Sequence, residues 1–522
     1  MMKHLCFLFF VLILPFRHAL SQGAGVPDPT FNGNGYWLKD YGFNDNLTAV
    51  QVLPNQKIVV TGVALSPVFQ GNLIVARLNP DGTPDTTFGN NGTFQLALSS
   101  AETYGYAVRA LPDGKLMVGG VAISLNTGYS DVLLLRLDDH GNMDQTFGSN
   151  GITVHNFTDF DDFLQDMQVQ PDGKIVVSGT VSEISGFDLF NTPAIMRFTA
   201  DGQLDTGFGE DGLRRFPAVA GDNELTTCMI LPDGGILASG HYQNVFTGAS
   251  DFDLFMVKVD QNGTPDTQFG TDGRVIMPVY GGIDDAFGMD IDQEGRIVLG
   301  GFTTQPVTLT FDMVLARFLP NGTIDATFGE NGLVLYDNTP YDVCNDVVIQ
   351  PDGKIIALGG TGDFLFPKSF AIWRYLPDGS PDIGFGTNGL ATYEVFQGSN
   401  HEFNAVTLQE DGKIVAAGKA LNLNNDAIVM RFGAGTSTVN EAILSAPPAW
   451  IAPQPAAEYL RVQLDHTVDM NNASLRIFNL TGQLVATTPL VNGRAEVPLA
   501  PGLYTFHIQT PNRIFTGKAV VI

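Results

Sequence analysis

A phenylalanine–glycine motif, Phe-x-x-x-Gly or Phe-Gly-x-x-Gly, recurs seven times, starting at Phe31, Phe88, Phe147, Phe208, Phe269, Phe328 and Phe385. The intervals are 57, 59, 61, 61, 59 and 57 residues. A near-constant period means one supersecondary unit that buries its apolar face against its neighbours, so most of the 522 residues need no single central core.

Each unit holds a second landmark about 24 residues after the Phe, such as Pro112-Asp-Gly-Lys115, Pro171-Asp-Gly-Lys174 and Pro351-Asp-Gly-Lys354. Asp-Gly between two apolar runs is a hairpin signal. The run before it alternates, with Val50, Val108, Met167, Cys228, Met289, Val347 and Val406 at one register, which predicts a strand with one buried face. The run after it reaches a glycine in every copy: Gly62, Gly120, Gly179, Gly240, Gly301, Gly359 and Gly418. A third predicted strand ends in a basic residue: Arg77, Arg136, Arg197, Lys258, Arg317, Arg374 or Arg431. In six units an Asp follows eight residues later (Asp85, Asp144, Asp205, Asp266, Asp325, Asp382) and the Phe eleven later. A short fourth strand follows the Phe.

After Arg431 neither Asp nor Phe follows; the missing pair stands at the N-terminus as Asp28 and Phe31. Ends that complete one unit between them are what a closed ring needs. The expected fold is all-β, a seven-bladed β-propeller over 22–434. An open solenoid is the alternative, but it would not require matching ends. The repeated Arg, Asp and Phe are expected to be structural, each basic residue pairing with the Asp eight residues on.

These spaced positions resemble the delta-60 repeats of secreted bacterial proteins. That resemblance implies a propeller-like β-fold and brings no established activity.

The N-terminus reads as a signal peptide over 1–21: Lys3 and His4, an apolar run from Leu5 to Pro15, then Ala19-Leu20-Ser21. Residues 435–452 read as a linker, and 453–522 as a small β-sandwich. Pro453-Gln-Pro455, the segment Ala473–Val485, Leu499-Ala-Pro-Gly-Leu-Tyr504 and Gly517-Lys-Ala-Val-Val-Ile522 resemble the C-terminal sorting domain of the type 9 secretion system of Bacteroidetes-type bacteria. Gln454 stands where that family usually has Asn. The resemblance implies the type 9 machinery as a partner of 453–522. It also implies passage through the periplasm, then release or attachment at the cell surface.

The formal net charge of −28 argues against nucleic acid and anionic membrane as partners. No stretch of the mature chain is apolar and long enough to span a bilayer as a helix. Cys228 and Cys344 are expected to be buried thiols. No nucleophile elbow, zinc-protease motif or Walker loop is present, so no catalytic residue is assigned.

Two spacings are fixed, eight residues from hairpin to Gly and eleven from basic residue to Phe, whereas Gly to basic residue varies from 13 to 18. The unequal loops share one face, where binding is expected. They carry Phe69, Tyr129, Phe187, Phe190, Tyr242, Phe246, Phe302, Phe364 and Phe366, suited to stacking on a glycan or protein. An acid also precedes each hairpin by eight to ten residues: Asp45, Glu102, Asp162, Asp222, Asp284, Asp342 and Glu402. As a ring at the channel mouth these would attract Ca²⁺ or a cationic ligand. The expected function is a secreted or surface-attached binding or scaffold module for an extracellular glycan or protein. The alternatives are a polysaccharide hydrolase or lyase using acids at the channel mouth, and a structural surface or adhesion component.

Overall fold

The computed structural model describes residues 24–433 except 69, 186–187, 217–220, 244–250, 306–309 and 364–367. Beyond these it describes 449–451, 459–464, 474–478, 484–490, 494–498, 502–509 and 514–521. The expected signal peptide, and nearly all of the expected linker, lie outside the described residues.

Seven blades of four antiparallel strands form the first unit, which ends at Thr436; blades 5 and 6 are joined into one eight-stranded sheet by a parallel pairing of Phe311 with Tyr341. In blade 1 the inner strand Asp45–Val52 pairs with Ile58–Leu65, that with Gly71–Leu78, and that with the outer strand Thr93–Leu96. The inner strands of blades 2 to 6 begin at Ala101, Asp162, Glu224, Asp284 and Tyr341. Blade 7 takes three strands from the C-terminal end of the ring: His401–Leu408, Ile414–Leu421 and Asn425–Phe432. Its outer strand is the N-terminal Tyr36–Lys39, with Tyr36 opposite Met430 and Lys39 opposite Ala427. Strand Asp45–Val52 touches the inner strands of both blade 2 and blade 7. The ring is closed, and the solenoid alternative is set aside.

The core is layered between neighbouring blades. One layer joins Leu47, Val60 and Ile74 of blade 1 to Ala405, Val415 and Val429 of blade 7. Cys228 and Cys344 are buried free thiols in two other layers, as expected.

Every inner strand carries a β-bulge at one register: Thr48, Tyr106, Gln165, Thr226, Phe287, Asn345 and Asn404. A bulge re-aims a side chain, and several of these reach the next blade. Thr48 Oγ1 donates to the Gly105 carbonyl at 2.6 Å, Asn345 Nδ2 to Phe403 O at 2.7 Å and Asn404 Nδ2 to Leu47 O at 2.7 Å. The glycine of the second strand faces this bulge. A Cβ at Gly62 would sit 1.9 Å from Asn46 O, which accounts for a glycine there in all seven copies.

The basic residue, Asp and Phe of each unit lock the opposite face. Ion pairs join Arg77–Asp85 at 2.6 Å, Arg197–Asp205 at 2.7 Å, and Arg136–Asp144, Lys258–Asp266, Arg317–Asp325 and Arg374–Asp382 at 2.8 Å. Six arginines stack on the Phe of the same unit, with the guanidinium carbon 4.5–4.9 Å from the ring centre. Each such Phe also meets the turn glycine of the following blade. A Cβ at Gly82 would strike Phe31, and Gly25, at φ +77°, supplies the missing contact to Phe385. Only a residue without a Cβ fits there.

Residues 437–522 form a separate compact unit. One sheet has Tyr459–Leu464 between Ala449–Ile451 and Arg494–Pro498. The other runs Leu484–Pro489, Ser474–Phe478, Gly502–Gln509, Ile514–Val521. Two sheets fit the expected small sandwich. Among the described residues no helix is long and apolar enough to cross a membrane.

Candidate functional site: the face of unequal loops

Inner strands start at one face of the ring and run toward the Asp-Gly hairpins at the other. The loops between second and third strands, and those from each outer strand to the next inner strand, therefore share the starting face. Relative to the bulge, the residue three positions earlier is Asp45, Thr103, Asp162, Asn223, Asp284, Asp342 and His401. Only four of the seven expected acids occupy this register. Glu102 and Asp222 lie one residue earlier, and Glu402 one later, so the seven do not share one level.

The four in register are at most 1% exposed. Their carboxylates turn back to hold the loop from the preceding outer strand. Asp45 Oδ2 accepts from Tyr41 N at 2.6 Å, Asp162 Oδ2 from Phe157 N at 2.6 Å, Asp284 Oδ2 from Val279 N at 2.6 Å and Asp342 Oδ2 from Thr339 N at 2.8 Å. Burial outweighs these bonds and pushes Asp45 up to about 7, and Asp162 and Asp284 up to about 6. His401 performs the same task in blade 7, its Nε2 accepting from Phe396 N at 3.1 Å.

The other three acids sit among side chains. Glu102 Oε2 accepts from Tyr104 Oη at 2.8 Å, and Asp222 Oδ1 from Asn191 Nδ2 at 2.5 Å. Glu402 is the centre of a cluster from blades 6 and 7. It accepts from Tyr341 Oη at 3.0 Å and Asn345 Nδ2 at 3.3 Å, and pairs with Lys419 Nζ at 3.0 Å. Lys368 Nζ lies 3.3 Å from the centre of the Tyr341 ring. Burial depresses the Lys368 ammonium and Lys419 adds to this, against the pull of Glu402.

A second cluster spans blades 3 to 5. His241 Nδ1 lies 3.1 Å from Asp285 Oδ1, and Gln165 Nε2 donates to Glu224 Oε1. Burial would lower His241, but the Asp285 and Glu224 carboxylates win and raise it to about 9. The sequence reading missed His241, Asp285, Glu224, Lys368 and Lys419. Aligning the copies on the bulge places Glu224, Asp285 and Glu402 at one position, which is the signal that was available.

Of the aromatics, Tyr129 is 36% exposed and meets Phe160 edge-on at 5.5 Å. Tyr242 is half-buried against Phe255, and Phe302 lies between Phe287 and Phe311. Phe190 stands opposite Glu183 in a long hairpin. Phe69, Phe187, Phe246, Phe364 and Phe366 lie outside the described residues.

A family described as "Domain of unknown function (DUF5122) beta-propeller" matches residues 53–88, 111–147, 170–208, 294–328 and 350–385. A second, "Secretion system C-terminal sorting domain", matches 451–522. No curated protein matches the chain. Solved structures of similar shape include a catalytically inactive virginiamycin B lyase from Staphylococcus aureus with quinupristin (10% identity, 76% of this chain and 99% of that one, TM-score 0.42). Others are PorZ, a surface component of the type-IX secretion system of Porphyromonas gingivalis (11%, 91% and 81%, 0.25), and Drosophila Semaphorin 1a domains 1–2 (9%, 76% and 87%, 0.38). The chain carries the repeats of this β-propeller family and ends in a sorting domain of the type 9 secretion system, which sends it through the periplasm to secretion or the cell surface.

Proposed function

We propose that the protein is an exported propeller that holds an extracellular glycan or protein on the face of its unequal loops. The observation supporting this most strongly is the Glu402 cluster. Two lysines, a carboxylate, an amide and a tyrosine ring from two blades meet there, on a chain whose net charge is −28. Convergent donors and acceptors beside an aromatic face suit a hydroxyl-rich sugar or a polar peptide. Glu102, Asp222, Tyr129 and Tyr242, in blades 2 and 4, are proposed as further contacts on the same face.

The test is binding of the purified protein to arrayed extracellular glycans and envelope proteins. The doubly substituted Glu402→Gln, Lys419→Ala protein is expected to lose at least tenfold in affinity, while Asp113→Asn on the hairpin face leaves it unchanged. Equal loss in both variants, or in neither, contradicts the reading.

The His241–Asp285 pair beside Glu224 favours a second reading, hydrolysis or elimination on a polysaccharide. It requires product release that His241→Gln abolishes.

A further inference from the structure

We infer that a divalent cation with a preference for oxygen ligands, Ca²⁺ foremost, binds where the ring closes, held by Asp40, Asp45 and Asp426. Carboxylate oxygens of the three lie within 4.8 Å of one another. Among the described residues this is the one such convergence of three acidic, His or Cys side chains. Asp40 follows the N-terminal strand Tyr36–Lys39, Asp45 opens the inner strand of blade 1 and Asp426 lies in blade 7, so an ion here would staple one end of the ring to the other.

The second observation is an orphan atom. Asp45 is 1% exposed; its Oδ2 is used by Tyr41 N, but its buried Oδ1 has no hydrogen-bond partner. The equivalent aspartates all have one. Thr303 donates to Asp284 Oδ1, Thr361 to Asp342 Oδ1, and Thr158 to Asp162 Oδ1 at 3.0 Å. Thr303 and Thr361 stand directly across from their aspartates in the second strand. Across from Asp45 is Ala64, which has no hydroxyl.

The closure also lacks an amide donor that another junction has. At the junction after blade 2, Asn156 occupies the position of Asp40 and donates to Asp131, the counterpart of Asp426, at 2.8 Å. At the closure that position is an acid. Lys39, the cation whose field reaches Asp45, is exposed, lies 5.5 Å from the Tyr41 ring centre and forms no ion pair among the described residues. Tyr41 N donates to Asp45 Oδ2 and Gly42 N to Asp40 Oδ1 at 2.7 Å, but among the described residues no side-chain donor serves the three carboxylates. Three carboxylates with one buried orphan oxygen match a hard cation that takes carboxylate and water oxygens. Exposed Asp40 leaves one side open to water.

The experiment is a thermal melt of the purified protein at pH 7.5 and constant ionic strength, with EDTA and then with 1 mM CaCl₂. Wild type is expected to gain several degrees with Ca²⁺, and titration calorimetry to give one site. Asp426→Asn should fold, melt in EDTA at or above wild type because one like charge is gone, and lose the Ca²⁺ shift. Ala64→Thr, which supplies the missing hydroxyl, should weaken Ca²⁺ binding at least tenfold. No shift in wild type overturns the inference. So does a shift of equal size in Asp426→Asn, which would mean general screening of an acidic chain.

Discussion

Arg431 and Asp28 are 403 residues apart in sequence and form a buried ion pair at 2.9 Å. The pair repeats what the other blades make within a single unit. Arg431 also stacks on Phe31 and donates to Thr30 Oγ1 and, at 2.5 Å, to the Pro80 carbonyl of blade 1. One guanidinium thus ties the last blade to the N-terminal segment and to the first blade.

Arg431→Ala should therefore destabilise the propeller by about 3–5 kcal/mol, because it leaves Asp28 buried without its arginine. Chemical denaturation checks this. A loss below about 1 kcal/mol would mean that Lys413, 3.7 Å from Asp28, is sufficient by itself.

Blade 4 is the exception. Lys258 pairs with Asp266 at 2.8 Å, but among the described residues no stacking of Lys258 on Phe269 occurs. Lys258→Arg should add the ring contact and stabilise by about 0.5–1 kcal/mol. A neutral or destabilising result in the same denaturation experiment would contradict this.

Stability should fall as pH rises from about 5 to 9 without divalent cations. Asp162 and Asp284 are raised to about 6, so the folded state holds protons that the unfolded state has lost. Their contribution is complete below the ordinary aspartate range and disappears as pH passes 6. His241, raised to about 9, contributes fully below its ordinary value near 6.5 and loses that contribution as pH rises through 9. The ladder carboxylates Asp85 and Asp144 are held well below their usual range by threonine hydrogen bonds and neighbouring cations, so they lose stability only in stronger acid. Melting temperatures across pH 4–9 test this: Asp284→Asn should flatten the lower limb and His241→Gln the upper.

The ring was legible because its period, hairpins and basic–Asp–Phe spacing repeat, and because Asp28 and Phe31 supply what is missing after Arg431. The site was less legible. Seven acids precede the hairpins, but only Asp45, Asp162, Asp284 and Asp342 share a spacing of nine residues, and these four hold loops from buried positions. Spacing that drifts by one residue flips a strand side chain to the other face. The Glu402 and His241 clusters assemble across blades, so no single copy displays them. The orphan oxygen of Asp45 depends on Ala64, a cross-strand neighbour that the hairpin register alone identifies.

The central claim is closure by the N-terminal segment. The most direct measurement is a melt of the protein lacking residues 22–40, which removes Gly25, Asp28, Phe31 and the strand Tyr36–Lys39. Loss of the cooperative transition, or a drop of at least about 10 °C, is the expected result. An unchanged melt would mean that the ring does not depend on its N-terminal strand.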